Sequence, residues 1–154
     1  PSIHLSDPAE ISDAYIADRS FRIDYYYRIS RVVSLVDLDV VEMELIDRFG
    51  PLPVSTQVLL GVARARVLFR GAPIKHIYID SGSLVFSLSN IGRFKNLNRL
   101  FSMVKSFKHG CIKNYRYEKT GDEKLNIVFT TANIESSMEL LLSSSSLFSF
   151  DNDR

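Results

Sequence analysis

The side chains that most often do chemistry are sparse in this 154-residue chain. Three histidines, His4, His76 and His109, fall in different predicted elements, with no glutamate or cysteine at a spacing typical of zinc ligands. No metal site is expected. The single cysteine, Cys111, opens a predicted strand and reads as a small buried hydrophobe. It has no partner for an internal disulfide, which fits a reducing, cytoplasmic setting. The glycines form neither G-x-x-x-x-G-K-S/T nor G-x-G-x-x-G, so no phosphate cradle is encoded. A G-x-S-x-G elbow is also missing. Ser6, Ser12 and the serines at 143–146 read as turn and solvent residues. The chain by itself is expected to carry no catalysis, no metal and no cofactor.

Charge is the other candidate for function. The net +1 hides an asymmetry: −5 over residues 1–50, +3 over 51–92, +7 over 93–119 and −4 over 120–154. Opposite solvated faces explain this pattern, and so does a partner surface. In the basic segment 93–119, Phe94, Tyr115 and Tyr117 interleave with Arg93, Lys95, Arg99, Lys113, Arg116 and Lys119. Stacking of nucleic-acid bases is the sharper reading of that segment, and core aromatics flanked by solvated cations the plainer one. A second cluster is acidic. Glu44 and Asp47 are three residues apart on a predicted helix, on one side of it and near its C-terminus. Carboxylates there face the negative end of the helix dipole, so a cation should pair with them. Arg48 is a local candidate, and arginines of a partner are another.

These residues need elements to position them. Asp18 caps a first predicted helix with Ile23, Tyr26, Ile29 and Val33 inward. Ser34, with Asp37 three residues on, opens a second, whose stripe is Leu38, Val41, Leu45 and Phe49. Gly50 stops it in left-handed geometry, and Pro51 and Pro53 forbid continuation. Gly50, Pro51, Leu52 and Pro53 therefore read as turn chemistry, and Phe49 as core. A third helix starts near Val54, with Val58, Val62, Ala65 and Phe69 continuing its stripe to Gly71. The period then falls to two. Residues 74–80 and 83–88 predict one hairpin, and residues 111–117 and 124–130 a second around Thr120-Gly121-Asp122. A fourth helix over 92–107 carries Phe94, Leu97, Leu100, Phe101, Val104 and Phe107 inward, and a last helix covers 133–142.

Three helices followed by two hairpin-plus-helix units predict an α+β fold, an antiparallel sheet with helices packed on one face. No boundary divides the chain, so one domain over 1–154 is expected. No apolar run is long enough to span a membrane. There is no signal peptide, and the start at Pro1 without a methionine suggests a piece of a longer protein.

Residues 44–53, Glu-Leu-Ile-Asp-Arg-Phe-Gly-Pro-Leu-Pro, carry a family pattern. They resemble the E-L-x-D-R-F-G-x-L-P segment of the C-terminal (TRCF) domain of bacterial transcription-repair coupling factors (Mfd). Upstream, residues 14–18 resemble the family's aromatic-Ile-Pro-Asp/Glu segment. Arg22, Ile23, Tyr26 and Arg28 match its R-L-x-x-Y-x-R helix. Downstream, residues 59–64 resemble L-L-x-I/V-A-R. The resemblance covers roughly residues 8–80; Ser12 and Ala17 replace family prolines, and residues after Ile91 have no residue-level match. It implies a regulatory, non-catalytic domain of an ATP-dependent DNA translocase. That protein tracks on double-stranded DNA, displaces stalled RNA polymerase and recruits the repair protein UvrA, with ATP and magnesium held in other domains. The C-terminal domain is implied to dock on the UvrB-like module of the same chain and mask the UvrA-binding surface. Glu44, Asp47 and Arg48 are then the candidate interdomain contacts, and no membrane is involved.

Overall fold

Side-chain caps set the helix starts. In the computed structural model, which describes residues 1–89, 91, 97–121 and 124–148, the Asp18 carboxylate accepts from the backbone amides of Ser20 and Phe21 and opens α1 (Arg19–Ser30). Ser34 accepts from the Asp37 amide and donates back to its carboxylate, opening α2 (Leu35–Phe49). The Pro53 carbonyl accepts from the amides of Thr56 and Gln57 at the head of α3 (Val54–Leu68). The chain divides into two compact units, residues 7–68 and residues 1–6 with 69–154.

The helical unit has a core of Ile11, Ile16, Tyr25, Ile29, Leu38, Val41, Leu45, Leu60 and Ala63. The α2 stripe follows the expected register, except that Phe49 is half-buried at its end. The α1 stripe does not. Ile29 is buried, but Ile23, Tyr26 and Val33 are exposed and Tyr25 takes the inward position. The reason is polar: the Tyr25 hydroxyl finds partners in Glu44 and Arg48 on α2, while the Tyr26 hydroxyl reaches back to accept from the Ile11 amide at 2.6 Å. In α3, Val58 and Ala65 are buried as expected, Val62 is half-buried and Val54 is exposed. Arginines stitch the unit together. Arg22 donates to the Ile16 and Ala17 carbonyls, Arg66 to the Ile29 carbonyl at the end of α1, and Arg64 to Asp39 and Glu42 of α2.

The second unit is a five-stranded sheet in the order β1-β2-β3-β5-β4. Its strands are β1 (Ser2–Leu5), β2 (His76–Ile79), β3 (Ser83–Ser89), β4 (Asn114–Lys119) and β5 (Lys124–Thr130). The two hairpins are antiparallel, and β3 joins them by pairing with β5. The α+β class holds, but the sheet is mixed, not antiparallel throughout, because β1 adds to β2 in parallel. Ile77, Ile79, Leu84, Phe86, Leu88, Leu125, Ile127 and Phe129 are all buried on one face. Helix α5 (Ile134–Ser143), capped by Asn133, is tied to the β2–β3 turn, where the buried Ser137 hydroxyl donates to the Asp80 carbonyl at 2.7 Å. A 3-10 turn (Ser144–Leu147) follows, and buried Phe148 packs on Phe69 and Phe86. Helix α4 spans Leu97–Ser106, with Leu100 and Val104 buried and Phe101 and Phe107 half-buried. The expected start of this helix, with Phe94, lies outside the described residues, as does Asp122. Cys111 is not in a strand; it sits half-buried in a turn before β4.

Candidate functional site

The motif at residues 44–53 folds as the second half of α2 and the turn that leaves it. Glu44 points back to α1. Its carboxylate accepts from both Arg28 terminal nitrogens, at 3.1 and 2.6 Å, from the Tyr25 hydroxyl at 2.8 Å and from Arg48 at 3.3 Å. The Arg28 bonds, followed by that of Tyr25, lower the Glu44 carboxyl from an ordinary 4.5 to about 2. Glu44 also raises Arg28, so the pair stays ionised. Arg48 donates to the Tyr25 hydroxyl at 3.0 Å, and its guanidinium carbon lies 5.0 Å from the Phe21 ring centre and 5.1 Å from that of Phe49.

The remaining motif residues have equally local tasks. Leu45 is fully buried, and Phe49 packs edge-on against Tyr15 and Tyr25. The Tyr15 hydroxyl lies between the Leu45 and Gly50 carbonyls, at 3.1 and 2.9 Å. Gly50 has φ 86° and ψ −165°, a conformation almost closed to other residues, in place of the expected left-handed helical one. Leu52 packs on the core and Pro53 opens α3. Asp47 differs. It is exposed, and among the described residues no ion pair includes it. The structure therefore separates the two carboxylates: Glu44 has its cations within the helical unit, and Asp47 faces solvent.

Asp47 ends an apolar stripe. At 100° per residue, Val36, Val40, Met43 and Asp47 fall within about 60° of one another, opposite the buried Leu38, Val41 and Leu45. Val36 is 71% exposed, Val40 56% and Met43 70%. A helix apolar on two opposite sides has one side more than its own core requires.

The basic segment is arranged differently from the interleaving seen in sequence. Register places Tyr115 opposite Phe129 and Tyr117 opposite Ile127, on the buried face of the sheet. Tyr117 packs edge-on against Phe101, with ring centres 4.7 Å apart. Arg116 lies on the other face and pairs with Glu118 at 2.8 Å. Arg93, Phe94 and Lys95 lie outside the described residues. The histidines lie in different elements, as expected, but do not stand alone. His4 and His76 meet across the parallel strands, with ring nitrogens 3.3 Å apart, and His4 stacks on Tyr78. His109 converges with Cys111 and Glu139. Sequence inspection missed that cluster because Glu139 lies on another element; the His-x-Cys spacing was its only local signal.

The profile of the TRCF domain family matches residues 5–97. This chain belongs to the TRCF domain family. Among curated relatives, the transcription-repair-coupling factor of Haemophilus influenzae is 40% identical over 81 residues, covering 53% of this chain and 7% of that protein. That of Escherichia coli is 38% identical over 64 residues, 42% of this chain and 6% of the relative. That of Mycobacterium tuberculosis is 35% identical over 83 residues. The chain thus matches less than a tenth of the length of these relatives. The crystal structure of a C-terminal domain of transcription-repair coupling factor superposes with a TM-score of 0.73 at 20% identity, covering 96% of this chain and 90% of that one. The fold is that of this C-terminal domain.

Proposed function

We propose that this TRCF domain is an autoinhibitory clamp within a transcription-repair coupling factor. In the resting state it docks on the UvrB-like module of the same protein and masks the UvrA-binding surface. The observation that carries this reading is the outward face of α2, where Val36, Val40 and Met43 are more than half exposed and lead to Asp47. Apolar side chains rimmed by a charge make a surface suited to a regulated, reversible contact. A carboxylate at its edge selects a partner arginine and sets the docking register. Glu44 and Arg48 act behind that face, holding α2 to α1.

The whole protein, in this reading, is a cytoplasmic ATP-dependent translocase on double-stranded DNA. It displaces stalled RNA polymerase and recruits nucleotide excision repair. Its ATP and magnesium belong to other domains, since this chain has no sequence cradle for phosphate. The test compares UvrA affinity of the full-length factor with that of the same factor lacking this domain. Removal should raise the affinity. Equal affinities would end the clamp reading.

A further inference from the structure

His109 and Cys111 lie two residues apart in the loop between α4 and β4, and Glu139 lies on α5. None of them belongs to the helical unit that carries the family motif. The Cys111 thiol donates to Glu139 Oε2 at 3.2 Å, and Glu139 Oε1 is 3.7 Å from His109 Nε2. One donor atom from each residue lies within 4.8 Å of the others. Ordinary zinc bond lengths and tetrahedral angles put sulfur and oxygen ligands about 3.6 Å apart, and nitrogen and oxygen ligands about 3.4 Å apart. The two contacts run to different oxygens of Glu139, so a rotation of that carboxylate is needed to bring one donor from each residue to that spacing.

Desolvation does not force this arrangement. The Glu139 side chain is 67% exposed and could be hydrated instead, yet both of its oxygens are turned toward Cys111 and His109. The donor set is one imidazole, one sulfur and one carboxylate, which suits a borderline-soft divalent cation.

We propose that His109, Cys111 and Glu139 form a three-ligand site for a divalent cation of the zinc class, with water as the fourth ligand. On binding, the Cys111 S–H bond breaks and its proton leaves to solvent. The sulfur electron pair then bonds the cation, and Glu139 exchanges its S–H partner for the metal. His109 ligates through Nε2 as the neutral ring; its proton passes to Nδ1, which gives up the hydrogen bond it accepts from the Cys111 amide at 3.3 Å. The bound ion would tie the loop before β4 to α5.

The test uses the whole 154-residue chain with Co2+ as the probe. Wild type should develop a thiolate-to-cobalt charge-transfer band that saturates at one equivalent and is displaced by Zn2+. Cys111→Ser should lose the band, and Glu139→Gln should bind more weakly. Because Cys111 is the only cysteine, its alkylation rate in the wild-type chain is a second readout that needs no variant, and Zn2+ should slow it. No band in wild type, equal Co2+ binding by Cys111→Ser, or alkylation unaffected by Zn2+ would each overturn the assignment.

Discussion

Replacing Glu44 by glutamine keeps the shape of the side chain and removes the charge that holds α1 to α2. The wild-type carboxylate accepts from Arg28, Tyr25 and Arg48. Its titration near 2 against an ordinary 4.5 corresponds to at most about 3.4 kcal/mol at neutral pH. The side chain is 31% exposed, so water screens part of this, leaving about 1–3 kcal/mol. The sign follows from the lowered value. The folded carboxyl binds its proton less tightly than the unfolded one, so its stabilisation is complete at neutral pH. It is lost as the pH falls from about 5 to about 2. Urea unfolding followed by circular dichroism should show Glu44→Gln less stable than wild type by that amount at pH 7, with the two converging toward pH 2. A difference below about 0.5 kcal/mol at pH 7, or one constant down to pH 2, would refute the argument that the charge itself holds the helices.

Gly50→Ala should cost about 1–3 kcal/mol in urea unfolding, although an added Cβ would meet nothing within 4 Å; an unchanged midpoint would remove backbone strain as the reason for glycine there. Leu45→Ala should destabilise by about 2–5 kcal/mol, and Phe49→Ala by less than the about 3–5 kcal/mol of a fully buried phenylalanine; a full loss of that size at Phe49 would mean that the end of the α2 stripe is misread. The purified chain should hydrolyse no ATP in a phosphate-release assay, and it should bind duplex DNA weakly at low salt. Tight binding that falls steeply with salt would instead favour a nucleic-acid role for residues 93–119.

Local chemistry was legible in the sequence. Asp18 and Ser34 cap helices through bonds to amides two or three residues away, so their signal is contained in a short window. The α2 core stripe was legible because leucine and valine alternate with charge at helical spacing. The α1 stripe was not, because three adjacent tyrosines have equal hydropathy and Tyr25 turns inward to reach Glu44 and Arg48 on another helix. The parallel pairing of β1 was not legible because its partner lies some seventy residues away, with no turn to mark it. Among the candidate contacts, spacing alone placed Glu44 beside Asp47. It did not show that Arg28, from α1, already neutralises Glu44. The cluster of His109, Cys111 and Glu139 depends on a chain reversal that periodicity does not encode.

The clamp is tested most directly at the outward face of α2, where substitution spares the core. Met43→Glu with Asp47→Ala replaces one apolar contact and one charge at exposed positions, so circular dichroism of the isolated chain should be unchanged. The measurement is UvrA affinity of the full-length coupling factor carrying both substitutions, against wild type. An interdomain coupling of about 1–3 kcal/mol predicts a rise of roughly 5–150-fold. Wild-type affinity in a folded double variant would contradict the account.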